Sequence, residues 1–201
     1  MKRIAAFLAA LLTVFCAVSA GAEETVPGFR EMIETPTPTP APDAFRFRDG
    51  IRWGMNPQQV KSLENEAMTE RTLQDWSIML TNEKVAVSRF TADLVFMFRQ
   101  ERLAMISYEF QRKEPAADFV YLCGALSSVY GEKAAADPAK IKNLMDAINP
   151  NRFKTEAITE AWGWNAPDGT AVYLYYFSPE AFAVMYVSPE LGAGIYQTDG
   201  L

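Results

Sequence analysis

The residues best suited to bind a ligand are aromatic and lie close together near the C-terminus. Four of them occur at two-residue spacings in neighbouring apolar segments: Trp162, Trp164, Tyr173 and Tyr175. Alternate residues of a strand point to the same face, so each pair shares one face of a predicted sheet. Flat aromatic rings stack on sugars or anchor a protein at low entropic cost. We therefore predict these four as ligand-binding residues, with a protein or a cell-envelope glycan as partner.

Whether both pairs share one face depends on the loop between the two segments. A four-residue loop at 166–169 would align them, whereas a five-residue loop would place them on opposite faces. Packing in the core is the alternative, because aromatic residues also suit a half-buried pleated surface. Ala161 and Gly163 are small enough to let a helix approach the intervening face, which favours exposure of the tryptophans.

Catalytic chemistry has little support in the sequence. The chain has no histidine, which removes the usual general base at neutral pH and the commonest metal ligand. Glu160 and Asp168 could act as acid and base of a glycoside hydrolase on envelope polysaccharide, but the chain has 25 acidic residues from which to draw such a pair. Cys123 lies on an apolar helical stripe, which is typical of a buried thiol. We predict no enzyme, no catalytic residue, no metal and no cofactor.

The charge balance argues against nucleic acid as a partner. The 201 residues include 19 Lys and Arg against 25 Asp and Glu, a net charge of -6. Binding to phosphates requires a basic surface that releases counterions. The sequence offers no such surface.

Residues 1–22 have the pattern of a secretory signal peptide. Lys2 and Arg3 precede an apolar run at 4–18, and small residues suited to cleavage follow. Phe15 stands directly before Cys16, where a lipoprotein signal needs a small residue. We expect a secreted or extracytoplasmic protein with no stable membrane insertion unless the signal is left uncleaved.

Two further regions follow the signal. Residues 23–43 contain alternating Thr and Pro at 35–40, followed by Ala and Pro, and predict a disordered, extended spacer. Residues 44–201 predict one α+β domain.

The helices have clear start and stop signals. Asn56 is a predicted N-cap followed by Pro57, with Gln59 completing a capping box, and this helix is expected to reach about residue 68. A second helix runs from about residue 115 to a stop at Gly131, with Val129 on its apolar stripe. A third begins at the cap Asp137 and ends at 149–150.

Alternating apolar and aromatic segments predict antiparallel strands at 76–80, 84–90, 93–99, 103–110, 157–164, 170–177 and 182–187. A three-residue loop at 100–102 would pair Phe98 with Ala104, Phe96 with Ile106 and Leu94 with Tyr108. Asp93 and Glu109 would then lie on the other face. These elements predict an antiparallel sheet with helices packed on one face, in an order that suggests two helix-plus-meander halves.

One sequence pattern resembles a known group of proteins. The segment Trp53-Gly54-Met55 precedes a capped helix containing Val60, an aromatic meander and a second helix ending at Tyr130-Gly131. This order is similar to small exported bacterial domains of the β-lactamase-inhibitor-protein-like or SmpA/OmlA kind, over residues 45–187. The resemblance implies a helix-plus-meander fold and binding rather than catalysis, and it supplies no active-site residue. The missing lipid-attachment signal departs from the lipoprotein members.

Overall fold

Helices and antiparallel strands alternate along the chain in a computed structural model that describes residues 47–112, 115–148 and 158–196. A 3-10 turn at Arg48–Gly50 comes first. The helices are α1 (Pro57–Leu63), α2 (Pro115–Tyr130), α3 (Pro138–Ile148) and α4 (Pro189–Tyr196). The strands are β1 (Met68–Leu73), β2 (Trp76–Thr81), β3 (Val85–Val87), β4 (Phe90–Arg99), β5 (Arg102–Gln111), β6 (Ala134–Ala135), β7 (Ala161–Asn165), β8 (Ala171–Ser178) and β9 (Ala181–Val187). The predicted signal peptide, the spacer and the end of the third helix at 149–150 lie outside the described residues.

The strands form one antiparallel sheet, which confirms the predicted α+β class. Its order is β1-β2-β4-β5-β9-β8-β7-β6, and β3 pairs with β4 off this path. Two meanders therefore meet at the β5–β9 pair, each with its last long strand in the middle of the sheet. The first meander follows α1, and the second follows α2 and α3.

Helices pack on both faces of this sheet. Val60 of α1 and the buried side of α2 pack against the face that carries Phe96 and Ile106. The buried residues of α3 and α4 join the core on the opposite face, with Met97 and Met105. The sequence predicts helices on one face only. The structure places them on both, because Leu94 to Phe98 of β4 and Leu103 to Ile106 of β5 are apolar without alternation, so each face needs a cover.

Helix α1 starts as predicted. The Gln59 backbone N–H donates to Asn56 Oδ1 at 2.9 Å, and the Asn56 backbone N–H donates to Gln59 Oε1 at 2.9 Å. The helix ends at Leu63 and not near residue 68, because Glu64 turns to an extended conformation. The Glu64 carboxylate is buried and accepts a hydrogen bond from Arg48 at 3.2 Å.

The β4–β5 hairpin has the predicted register over most of its length. Phe96 pairs with Ile106 and Leu94 with Tyr108, and all four lie in one core cluster.

Near the turn, the predicted register is wrong. Phe98 pairs with Leu103 and not Ala104, because a bulge follows Met97. The turn itself is two residues long, and both Gln100 and Glu101 have positive φ, at 50° and 59°. Such a turn matches the twist of the flanking strands.

Helix α2 also begins and ends where its signals indicate, and α3 begins where its signal indicates. Gly131 follows the last residue of α2 with a φ of 88°, a conformation that favours glycine. Asp137 caps α3 by accepting a hydrogen bond from the Ala139 backbone N–H at 2.9 Å. Because α2 packs on β7 and β9, it covers the face of the sheet to which the predicted tryptophans belong.

Candidate functional site

The loop between β7 and β8 separates the two predicted aromatic pairs. Asn165 pairs with Ala171, so five residues at 166–170 connect the strands. Trp162 and Trp164 therefore point to the face covered by α2, and the two tyrosines of β8 point to the opposite face. The four predicted ligand-binding residues do not form a common surface.

Trp164 is a core residue. Its side chain is 3% exposed and packs with α2 in a cluster that includes Leu126 and Val172. The indole Nε1–H donates to Ser127 Oγ at 3.2 Å, which satisfies its polar group inside the core. Trp164 cannot contact a ligand in this conformation.

The two tyrosines pack in the core on the second face. Tyr175 is 1% exposed and its hydroxyl lies 4.0 Å from Met185 Sδ. Tyr173 is half-buried against the same cluster, beside the Cβ position of Gly163. Of the four predicted residues, Trp162 is the one that borders an open cleft beside α2.

A cleft of about 310 Å³ opens beside Trp162, between α2 and the start of β7. Its lining is mostly apolar and comprises Phe119, Val120, Cys123, Gly124, Ser127, Lys133, Glu160 and Trp162. The Trp162 Nε1–H donates to Glu160 Oε1 at 2.7 Å. The indole edge is thus held by a carboxylate at the mouth of the cleft.

Lys133 covers one face of the indole. After Gly131 ends α2, the short strand β6 pairs with β7 and carries the chain back over Trp162. The Lys133 Nζ atom lies 3.6 Å from the centre of the Trp162 ring and donates to Cys123 Sγ at 3.3 Å. An ammonium at this distance from an indole is electrostatically attracted to it. Trp162 is therefore fixed from two directions, and Cys123 is buried as predicted.

Phe119 of the cleft lining packs on a tyrosine that lies near two carboxylates. Phe119 stacks on Tyr176 with ring centres 4.3 Å apart. Burial raises the pKa of the Tyr176 hydroxyl above its ordinary value, and the negative charges of Glu160 and Asp118 raise it further. The hydroxyl therefore stays neutral at physiological pH.

The carboxylates proposed for a glycoside hydrolase are not brought together. Glu160 precedes β7 and Asp168 follows it, so at ~3.3 Å per residue the strand alone separates them by roughly 16 Å. Catalytic carboxylates of such enzymes lie about 5–10 Å apart. Asp168 instead accepts hydrogen bonds from the Thr170 backbone N–H and hydroxyl, each at 3.0 Å. It stabilises the turn.

A second opening lies on the other face of the first meander. This groove of about 680 Å³ is lined by apolar and charged residues of β1, β2, β4 and β5, including Leu80, Asp93 and Glu109. Asp93 and Glu109 do lie opposite the apolar face of their hairpin, as predicted. None of the predicted aromatic residues lines this groove.

Sequence reasoning missed two parts of the cleft. Lys133 follows a helix stop, and only the pairing of β6 with β7 reveals its position over Trp162. Val120 lies off the apolar stripe of α2 and is 70% exposed at the rim of the cleft. Val129, predicted on the buried stripe, is instead 72% exposed.

Comparisons of the chain with known protein families, with curated proteins and with solved structures find no match. The resemblance to β-lactamase-inhibitor-protein-like or SmpA/OmlA domains therefore stays a prediction. Within the described residues, no helix is both long enough and apolar enough to cross a membrane.

Proposed function

We propose that this chain is an exported, non-catalytic recognition module that binds a protein partner in the cleft beside Trp162. The observation that carries this proposal is the fixed, half-exposed Trp162 at the mouth of an apolar cleft, held by Glu160 and Lys133. Preorganised aromatic side chains next to apolar pockets are typical anchor points of protein interfaces. The predicted signal peptide supports the exported location.

A protein fits this cleft better than a glycan does. Sugar rings stack on an exposed aromatic face, and the Lys133 ammonium already covers one face of the Trp162 ring. An apolar side chain of a partner would need only the cleft itself, whose floor is formed by Phe119 and Cys123. The exposed Val120 at the rim would extend the apolar contact.

A peptide library displayed on phage and selected against the purified chain would test this function. We expect selected peptides to share an apolar anchor residue and to lose at least about tenfold in affinity for Trp162→Ala, the effect of removing a central interface residue. Val120→Asp should weaken binding comparably. Val129→Asp is the matched control, because both valines are exposed on α2 and only Val120 lines the cleft.

Two results would overturn the proposal. Peptides whose affinity is the same for the wild type and for Trp162→Ala would place recognition elsewhere on the molecule. Soluble envelope oligosaccharides that bind with a dependence on Trp162, where no peptide does, would identify a glycan as the ligand.

A further inference from the structure

The outward face of α2 carries no charged residue. Its exposed positions are Ala116, Ala117, Val120, Tyr121, Gly124, Ala125, Ser128 and Val129. In the described part of the chain, four large apolar side chains are exposed, and three of them are on this helix. A solvated helix face normally carries charged side chains, so an uncharged face of 16-residue length indicates a contact surface.

Gly124 lies at the centre of this face and has no function in the packing of the chain. A Cβ atom at this position would meet nothing within 4 Å. A glycine inside a helix costs roughly 1 kcal/mol relative to alanine. Close approach of another helix from outside gives a physical reason for a residue without a side chain here.

The face is also nearly symmetric about its centre. Val120 and Val129 lie at equal distances on either side of the Gly124-Ala125 pair. A second copy of α2 that runs antiparallel places each Val120 at the level of Val129 of the second copy. A twofold dimer needs this kind of self-complementary surface.

In this antiparallel arrangement of two α2 helices, the charges at the start of one helix complement the charge at the end of the other. Near the start of α2, Arg89 and Arg112 share the single carboxylate of Asp118, at 3.4 and 2.7 Å, so positive charge is in excess there. Beyond the end of α2, Glu132 is exposed, and the neighbouring Lys133 is turned into the cleft. An antiparallel second copy brings its Glu132 toward the arginine pair, and the same contact recurs at the other end.

We propose that the chain forms a twofold dimer in which the outward faces of two α2 helices pack antiparallel, with Gly124 at their closest approach. The twofold axis is perpendicular to both helices, and Val120 and Gly124 of the cleft lining lie at the contact, so the second copy borders each Trp162 cleft.

Sedimentation equilibrium of the purified chain tests the dimer. We expect a monomer–dimer equilibrium at micromolar concentrations, and Gly124→Gln should weaken association by about 100-fold because its side chain blocks the approach of the second helix. The monomer should remain folded, since open space surrounds the Gly124 Cβ position. Equal association of wild type and Gly124→Gln, or a wild type that is monomeric at all concentrations, would overturn the proposal.

Cysteine crosslinking tests the antiparallel direction in a Cys16→Ser background, where the remaining native thiol, Cys123, is buried. Gly124→Cys should form an interchain disulfide with oxidised glutathione. Ala117→Cys should not, because antiparallel helices hold the two copies about 22 Å apart along the axis at 1.5 Å per residue. Crosslinking of both variants would indicate a parallel contact and contradict the proposal. Trp162→Ala should still dimerise, and Val129→Asp, which changes the helix contact outside the cleft, should weaken the dimer and still bind peptide, so failure of either proposal is distinguishable.

Discussion

Strand β7 has a tryptophan near each end, and the two side chains have opposite surroundings. Trp162 and Trp164 lie two residues apart on one face of one strand. Trp164 is enclosed by α2 and β8 and donates to the Ser127 hydroxyl. Trp162 borders the open cleft and donates to the exposed carboxylate of Glu160. The direction of a side chain follows from strand alternation, whereas its exposure depends on where the covering helix leaves room.

The two tryptophans therefore contribute differently, one to stability and the other to an accessible surface. At the closed end, the indole replaces water contacts with packing and a buried hydrogen bond, so it stabilises the fold. At the open end, the indole keeps part of its surface available while a carboxylate and an ammonium fix its position. The same kind of substitution made at the closed end and at the open end should therefore give unequal losses of stability.

The largest expected difference comes from truncating the two tryptophans. Trp164→Ala should lower the free energy of unfolding by about 3–5 kcal/mol, because it leaves a large cavity under α2. Trp162→Ala should lower it by about 1 kcal/mol or less, since the side chain is half-exposed. Urea denaturation followed by circular dichroism measures both. Equal losses would contradict the division into a closed and an open end.

Alkaline pH should lower the stability of the fold through Tyr186, which packs against the cluster that encloses Trp164. Burial raises the pKa of Tyr186 well above its ordinary value, and the neighbouring Tyr130 and Tyr108 add to the shift. The unfolded tyrosine ionises near pH ~10 while the folded one keeps its proton, so the folded state binds more protons there. Stability should be constant below pH ~10 and fall by about 1.4 kcal/mol per pH unit above it for this group.

Tyr186→Phe provides the control, because it removes the titrating hydroxyl and keeps the ring. Its unfolding free energy, measured between pH 9 and about 11.5, should fall less steeply than that of the wild type. Identical slopes would mean that Tyr186 does not titrate differently in the folded and unfolded states.

Local signals explain which parts of the fold could be predicted. The capping box of α1 and most of the β4–β5 register depend on residues close in sequence, and both were correct. Strand β1 was missed because its central residues, Thr69 to Thr72, are polar on both faces at the edge of the sheet. Helix α4 is not predicted, because Pro189 comes just after the last predicted strand, where a proline is typical of a strand end, and yet it also begins a helix.

The candidate site was less predictable than the fold. The aromatic alternation identified Trp162, but the length of the loop at 166–170 decided which face the tyrosines occupy. The contact between Lys133 and Trp162 joins residues 29 positions apart through the short strand β6. Neither depends on a local sequence signal, so both required the structure.

Removal of the hydrogen-bond acceptors of the two indoles should give a smaller difference in stability between the two ends. Ser127→Ala leaves the buried Trp164 Nε1–H without its partner and should cost about 1–2 kcal/mol. Glu160→Ala removes the acceptor at an exposed position and should cost less than about 0.5 kcal/mol, because water can replace it. Thermal unfolding of both variants under one set of conditions gives the ratio. A larger loss for Glu160→Ala would mean that the open end is also part of the stabilising core.

The smallest effect on stability is expected for Lys133→Met. The lysine is exposed, and a cation above an indole contributes only ~0.5–1 kcal/mol at such a site, part of which the apolar methionine retains through packing. The unfolding free energy should therefore change by less than about 0.5 kcal/mol. Acrylamide quenching should respond differently, because loss of the ammonium frees the indole from its fixed position and gives the quencher more access to Trp162. With Trp53 replaced by Phe to reduce the background, quenching should rise for Lys133→Met and stay unchanged when Trp162→Phe is added. A rise that persists without Trp162 would come from another tryptophan and would contradict the assignment of this effect to the open end of β7.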